Sequence, residues 1–445
     1  MPPLTMRVLA LLLLALLAPQ PAEPQVMKTC AGNAAATLRP EQPYRALWNA
    51  AWPGKCAGYA KPPNISAFGI DTNGGPNSTR EGVAICTPGP TPKGVGTGLY
   101  PMYDCLHSYP FDEKNCQPIN GGSPQLANLS AHLEAFKADV VRLMPDPQAA
   151  TAINLDWEKW DPTWAGTLPE RKSMCGPNGT CVTTNPVHDC KYCKYYIYGE
   201  VARRVARQDH PDATPEQIEG YAKDGWEKAS VNFLVQTLKA GKALRPNAHW
   251  GFWDLVPGGH VDWSIGADAG TKKNLEPLWD AMDALYPSIY IPSVTSGAAD
   301  ATYVGNKLKQ SRLLADAHLK DGAPMPIYAY TMMEAMAVDN GKVGGPLLSG
   351  KQFDAEYELP GKYGIAGLAI YGGSNDGTNP TRCAEVAAWA GKQLLPSMKT
   401  FVAERNACAA QHCSGHGRCV DYDGDATRTC ACMAGWKGAA CGTKV

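Results

Sequence analysis

The chain has 445 residues, 44% of them hydrophobic and 19% charged, which is enough apolar material for one large core plus a small appendage and excludes a wholly disordered protein. Lys and Arg number 41 against 42 Asp and Glu, a formal net charge of -1, so no global basic field exists to hold nucleic acid or an anionic membrane. A polyanionic partner would have to be met by a local cleft.

In chain order, Arg7 precedes an uninterrupted apolar run from Val8 to Ala18, followed by Pro, Gln and small residues. Residues 1–22 therefore read as a secretory signal peptide, too short in its apolar part to span a bilayer. No later run has the length of a membrane span, and the C-terminal Cys441-Gly-Thr-Lys-Val445 lacks the apolar tail of a lipid-anchor signal. The expectation is a protein without a membrane anchor, secreted or held in the lumen of an acidic vesicle such as the lysosome. Sixteen cysteines fit an oxidising compartment, and four sequons, at Asn64, Asn77, Asn128 and Asn178, fit a glycosylated chain.

Residues 25–405 alternate apolar strand-like runs with amphipathic stretches, the pattern of an α/β domain with a parallel sheet. The predicted strands are Arg45 to Asn49, Val83 to Thr87, Thr151 to Asp156, His249 to Leu255, Pro287 to Pro292, Met325 to Thr331 and Ile365 to Tyr371. Seven strands favour a closed barrel over an open sheet. Leu126, Leu129, Leu133, Phe136, Val140 and Leu143 recur at alternating steps of three and four, one face of a helix. Thr214-Pro-Glu-Gln217 opens another helix as a capping box with proline at its first position, and that helix runs through Trp226, Phe233 and Leu238 to stop before Arg245-Pro246. Residues 165–194 hold Cys175, Cys181, Cys190 and Cys193 in a Gly/Asn/Thr/Pro-rich stretch without periodicity, read as a cross-linked surface insertion. Residues 406–445 carry six cysteines in 40 positions with almost no helical pattern, a small disulfide-stapled module.

The chemistry concentrates in Thr151-Ala-Ile-Asn-Leu-Asp-Trp-Glu158, a short apolar strand ending in two carboxylates two positions apart. Side chains at i and i+2 of a strand share a face, so Asp156 and Glu158 would project together where α/β barrels hold their reacting groups. Trp157, Trp160 and Trp164 follow closely, and aromatic faces beside paired acids suggest a sugar site. Two close carboxyls cannot both ionise easily, so one stays protonated and can donate a proton, as a glycosidase requires. On this pattern alone the alternative, a strand-end Asp and Glu that cap a helix or pair with Lys159, stays open.

Leu155-Asp-Trp-Glu-Lys-Trp-Asp-Pro-Thr-Trp164 resembles the acidic signature of the hyaluronidase family of glycoside hydrolases. Other segments resemble the family in the same order: Trp48-Asn-Ala, Asn120-Gly-Gly-Ser-Pro-Gln125 with Ala131-His-Leu133, Thr237 to Pro246 with Trp250-Gly-Phe252, Ala284-Leu-Tyr-Pro-Ser-Ile-Tyr-Ile-Pro292, and Gly364-Ile-Ala-Gly-Leu-Ala-Ile-Tyr371. Cys408 with Cys413-Ser-Gly-His-Gly-Arg-Cys419 resembles its terminal module, similar to epidermal growth factor (EGF-like). The resemblance implies a distorted TIM-like (β/α) barrel followed by that module, and an endo-acting, retaining hydrolase of β-1,4 N-acetylhexosaminide bonds in hyaluronan, with chondroitin as a secondary substrate. It further implies that the substrate's own acetamido oxygen attacks the anomeric carbon, with Glu158 as general acid and then base, Asp156 orienting the acetamido group, and Tyr290 assisting. The implied partner is a glycosaminoglycan polysaccharide bound by a monomer, and no cofactor or metal is implied.

Two positions depart from the family pattern in the site: Trp253 stands where the family usually has tyrosine, and Tyr371 where it usually has tryptophan, an exchange that keeps total aromatic area. Trp253, Tyr371, Trp157 and Trp160 are the expected substrate-binding aromatics. A third departure, Asp161 in place of arginine, is expected to weaken binding of a carboxylate-bearing polymer or to alter substrate preference. The family order also implies disulfides Cys56–Cys383, Cys408–Cys419, Cys413–Cys430 and Cys432–Cys441. Cys190-x-x-Cys193 resembles a zinc or redox spacing, but behind a signal peptide a structural disulfide is the favoured assignment. No acidic calcium consensus precedes Cys408, and His132, on the amphipathic helix, reads as a buried hydrogen-bonded residue and not a ligand. The rival from another class is a non-hydrolysing glycan-binding or adhesion protein on the same scaffold; within enzymes, it is one preferring chondroitin.

Overall fold

The computed structural model describes residues 43–48, 68, 85–86, 102–104, 117–119, 121–144, 146–148, 150, 152–155, 160–164, 186–256, 269–291, 297–335, 345–371, 380–421 and 429–445. Its strands are β1 (Arg45–Trp48), β2 (Ile85–Cys86), β3 (Met102–Asp104), β4 (Gln117–Ile119), β5 (Ala152–Leu155), β6 (His249–Phe252), β7 (Tyr328–Met332) and β8 (Gly367–Tyr371). β3 and β4 form a separate antiparallel pair. The others are parallel: β2 pairs β5, β5 pairs β6, and β7 pairs β8. Between β6 and β7 runs a segment tied in by the isolated parallel bridges Trp253 to Tyr286, Leu285 to Ile327 and Ser288 to Tyr330. The first strand, β1, lies beside the last, β8. In a parallel array otherwise in chain order, first beside last is the topology of a distorted (β/α) barrel.

The strands' two faces bury different material. Leu47, Ala152, Ala284, Tyr286, Tyr290, Tyr328, Tyr330, Met332 and Ala369 pack together as the interior. Ala46, Ile153, Leu155, Phe252, Leu368 and Ile370 belong to the larger core shared with the helices. Period-two alternation of fully buried strands produces this division. Gly251 on β6 is required by it, because a Cβ there would stand 2.3 Å from the Ala284 carbonyl oxygen and 2.8 Å from the Tyr286 ring.

The helices are α1 (Leu129–Leu143), α2 (Pro186–Asp209), α3 (Pro215–Leu244), α4 (Ala269–Ala281), α5 (Gly297–Ala317), α6 (Gly350–Phe353), α7 (Pro380–Trp389) and α8 (Leu395–His412). Asn128 caps α1 by accepting the Ala131 N–H at 3.0 Å. Phe136 and Val140 are buried, whereas Leu126 falls in the preceding turn and is 45% exposed, because the helix starts after it. The capping box of α3 has both reciprocal bonds, Gln217 N–H to Thr214 Oγ1 and Thr214 N–H to Gln217 Oε1. His132 is fully buried, 2.9 Å from Thr237 Oγ1 through Nε2, and burial lowers its pKa to about 4.

Four sequence expectations shift. Pro186 to Lys194, read as irregular insertion, form the first turns of α2, with Pro186 at the helix start where its missing N–H costs no bond. The strand expected at Pro287 to Pro292 is the bridged segment 285–288, since proline at 287 cannot donate to a ladder. β6 stops at Phe252 because Asp254 turns to positive φ, +55°. The cysteine-rich C-terminal stretch opens inside a helix, α8, which carries Cys408.

That stretch is stapled by Cys408–Cys419, Cys413–Cys430 and Cys432–Cys441, and holds β9 (Gly417–Val420), β10 (Thr429–Cys432), β11 (Trp436–Lys437) and β12 (Thr443–Lys444). Cys383 on α7 is disulfide-bonded; Cys56 lies outside the described residues. The stapled unit docks on the amino-terminal end of the barrel: Arg418 Nε donates to the Pro43 carbonyl at 2.8 Å, the Asp421 N–H to the Lys362 carbonyl at 2.8 Å, and Val420 bridges Tyr363. Desolvation lowers the Arg418 pKa to about 10. Truncation to Ala would strand the Pro43 carbonyl, so Arg418→Ala is expected to cost the whole chain about 1–3 kcal/mol in urea unfolding. A barrel transition unmoved by the change would show that the stapled unit is only tethered.

Candidate active site

At the carboxyl ends of the parallel strands three aromatic side chains form a row. Tyr290, just past the bridged segment, is 9% exposed and lies between Trp253, at the end of β6, and Tyr371, the last residue of β8. Ring centroids are 6.4 Å apart for Trp253 and Tyr290, and 6.2 Å for Tyr290 and Tyr371, the latter pair within 21° of parallel. Tyr371 is 36% exposed and forms the open end of the row. The row abuts β5, because the Trp253 N–H donates to the Leu155 carbonyl at 3.0 Å. Leu155 is the residue before Asp156 in the chain; Asp156, Trp157 and Glu158 lie outside the described residues.

The chain beyond these acids turns inward. Trp160 is fully buried, edge-on to Trp226 at 5.9 Å and to Phe233 at 5.9 Å. This corrects its expected role as a substrate-binding aromatic, since a ring with no accessible face cannot stack on a sugar. Asp161 is also buried, and its Oδ1 accepts the Thr163 N–H at 2.7 Å and the Thr163 hydroxyl at 2.6 Å, an Asx-type turn. It therefore does not meet a polymer's carboxylates, and the expected weakening of binding has no structural basis. The next turn is anchored to α3: the Trp226 indole N–H donates to the Asp161 carbonyl at 2.9 Å, and buried Glu227 accepts the Trp164 N–H at 3.0 Å. Desolvation, with a smaller contribution from Glu227, raises the Asp161 pKa to about 6 against the opposing Thr163 hydrogen bonds.

Beneath the aromatic row lies a buried polar group set that the sequence did not disclose. Asp254 and Lys307 form an ion pair at 2.5 Å with both side chains fully buried, and Asp254 Oδ1 also accepts the Ser288 N–H at 2.8 Å. Glu356, fully buried, accepts the Ile291 N–H at 2.7 Å and the Met332 N–H at 2.9 Å, and is bonded to the Thr331 hydroxyl. Burial pushes its pKa to about 8, against the lowering effect of those three donors. A detectable signal existed for Lys307, which sits on the buried helical stripe of Val304, Leu308, Ser311 and Ala315. Glu356, among Asp354, Glu358 and other polar residues, carried none.

Of the expected sugar-site residues, then, Trp253, Tyr290 and Tyr371 come together and Trp160 does not. Asn128 is exposed with Oδ1 engaged in its cap, while Asn64, Asn77 and Asn178 lie outside the described residues. Among the described residues no group of three or more His, Cys, Asp or Glu side chains could hold a metal ion.

The family model described as hyaluronidase matches residues 33–174 and 183–434. The chain belongs to the hyaluronidase family of glycoside hydrolases. Hyaluronidase-1 from Bos taurus is 25% identical over 392 residues, covering 86% of this chain and 76% of its own length. Hyaluronidase-3 from Homo sapiens is 25% identical over 429 residues, covering 90% and 91%. Among solved structures, bee venom hyaluronidase in complex with a hyaluronic acid tetramer superposes with a TM-score of 0.62 at 22% identity, covering 80% of this chain and 99% of that one. The chain is thus a glycoside hydrolase whose aromatic row occupies the rim at which barrel enzymes react.

A pH dependence follows from Asp161. Its folded carboxyl keeps a proton up to about pH 6, whereas the unfolded one loses it near 3.8. Its contribution to stability is therefore fully favourable below about 4, declines as pH rises to 6 and is lost above, a change on the order of 3 kcal/mol. Asp161→Asn keeps an acceptor for Thr163 without that titration. Urea unfolding of the two chains from pH 4 to 7 is expected to show the wild type losing stability relative to the variant; parallel curves would exclude a raised carboxyl.

Proposed function

We propose that this chain is an endo-β-N-acetylhexosaminidase that hydrolyses hyaluronan, and unsulfated chondroitin as a second substrate, with retention at the anomeric carbon. What supports the reading is the aromatic row Trp253, Tyr290 and Tyr371 bonded through Leu155 to the strand that continues in sequence into Asp156 and Glu158. Apolar sugar faces stack on such rings, and the acids follow at the same strand end. The hyaluronic acid tetramer named with the bee venom structure makes a glycosaminoglycan the first substrate to test.

In the proposed mechanism Glu158 gives its proton to the glycosidic oxygen as the bond to the anomeric carbon breaks. The substrate's acetamido oxygen forms the new bond to that carbon from the opposite face. Asp156 accepts the acetamido N–H and offsets the charge of the oxazolinium-like intermediate, while the Tyr290 hydroxyl orients the same group. Water then adds to the anomeric carbon as the bond from that carbon to the acetamido oxygen breaks, and the water's proton passes to the Glu158 carboxylate, which restores the acid. Trp253 offers an indole N–H and a stacking face, and Tyr371 the outer platform.

We further propose a leader at residues 1–22, a catalytic barrel over 25–405 with a cysteine-rich insertion at 165–194, and an EGF-like module at 406–445. Delivery is to the extracellular space or an acidic vesicle lumen, as a monomer. Among the described residues no helix is long and apolar enough to cross a membrane. Glycan linkage at Asn128 would use Nδ2 and leave its Oδ1 cap in place.

The test uses the secreted chain and Glu158→Gln on hyaluronan and on unsulfated chondroitin from acidic to neutral pH, following new reducing ends and product size. The wild type is expected to release even-numbered saturated oligosaccharides, and Glu158→Gln to bind polymer with turnover reduced about 10²–10⁴-fold. Binding without cleavage at any pH would replace the reading with a glycan-binding protein; cleavage of chondroitin alone would reassign the substrate.

A further inference from the structure

Tyr290 sits at the end of a segment that the sheet does not hold in the ordinary way. Residues 285–289 share alternating backbone bonds with β7, among them Tyr330 N–H to the Pro287 carbonyl at 2.8 Å and Ile289 N–H to the Tyr330 carbonyl at 2.9 Å. On the β6 side the pairing ends with the bridge between Trp253 and Tyr286 and the Asp254 N–H to the Tyr286 carbonyl at 2.9 Å. Beyond it, two backbone donors flanking Tyr290 are taken by side chains. Ser288 N–H goes to Asp254 Oδ1 at 2.8 Å, and Ile291 N–H goes to Glu356 Oε1 at 2.7 Å.

Both acceptors are rigidly backed. Asp254 is made possible by its positive φ, which swings its side chain under the segment, and Lys307 from α5 neutralises it. Glu356 lies in a π-helical turn, Asp354–Glu358, a geometry that re-aims a side chain within a helix. Its second oxygen holds the Met332 N–H, while the adjacent Tyr357 hydroxyl donates to the Met332 carbonyl at 2.7 Å, so one turn grips both polar groups of the last β7 residue.

We propose that Asp254 and Glu356 are positioning residues, two buried carboxyl side chains that replace the missing ladder on either side of Tyr290 and so hold its phenol in the active-site rim. The inference rests on the reading of Tyr290 as a substrate-orienting group. Nothing in it requires either carboxylate to touch substrate.

The test compares the full chain with Glu356→Gln, Tyr290→Phe and the double variant, by hyaluronan kinetics and by hydrogen exchange of the peptide spanning 287–291. The glutamine keeps the size of Glu356 but puts an NH2 group, which cannot accept, where one of its two oxygens stood. Exchange in that peptide is expected to accelerate at least about tenfold with the rest of the chain unchanged. Turnover number should fall about ten- to a hundredfold with KM within about twofold, as for a misplaced group. In the Tyr290→Phe background the same change should cost less than about twofold, because its route to catalysis is already gone. Equal losses in the two backgrounds, or unchanged exchange, would overturn the proposal. Should Tyr290→Phe itself turn over like the wild type, the role given to Tyr290 fails and the proposal with it. If Glu356→Gln does not fold, Asp254→Asn combined with Lys307→Met, which leaves no lone buried cation, carries the same exchange and coupling expectations.

Discussion

A parallel barrel gathers the carboxyl ends of all its strands at one rim, and there each strand runs out of ladder partners while its backbone N–H groups are still buried. Every such donor must find an acceptor or cost on the order of a lost hydrogen bond. The rim of this protein meets that demand with ionisable side chains. Asp254 and Glu356 take the donors around Tyr290, Glu227 takes the Trp164 N–H, and Asp161 takes the Thr163 N–H. Water would serve the same donors on an exposed edge, but it would also loosen the rings set above them. Buried carboxyl groups meet these donors from inside the protein instead.

Using carboxylates for this purpose costs desolvation, and the helices behind the rim carry the compensation. α5 brings Lys307 to Asp254 and α4 brings the Asn274 amide to Glu227, while α3 ties down the turn after the acidic motif through Glu227 and the Trp226 indole. Removing any one partner leaves a buried charge or donor alone, which is worth more than the pair itself. The outer helices therefore bear on the site through named bonds as well as through bulk packing.

The strands were legible because full burial makes them short apolar runs, and α3 because its capping box is written in four consecutive residues, Thr214 to Gln217. The aromatic row was legible only through resemblance, since nothing in the spacing of Trp253, Tyr290 and Tyr371 relates them; three different strand ends unite them. Trp160 departs from its expected role because proximity in sequence to paired acids is not proximity to their ligand: the turn at Asp161 sends the ring into the core. Asp254 and Glu356 were invisible for the opposite reason. Each accepts backbone N–H groups of a segment distant in the chain, and such donors have no sequence signature.

The buried titratable groups also set how stability responds to pH. Glu356, with a folded pKa of about 8, favours the folded state increasingly as pH falls from 8 toward 4.5. Asp161 adds the same trend below about 6. His132, held to about 4, acts oppositely, withdrawing stability as pH falls below its unfolded value of 6.5, and His249, lowered by burial beside Tyr328, does the same. Above 6.5 only the acid-favouring trend of Glu356 operates among these four. Below about 6 the two acids oppose the two histidines. Glu356 therefore makes stability decline through neutral pH toward 8. The rim's choice of carboxyl groups as backbone acceptors is what tilts the balance, because a backbone carbonyl accepts an N–H without titrating.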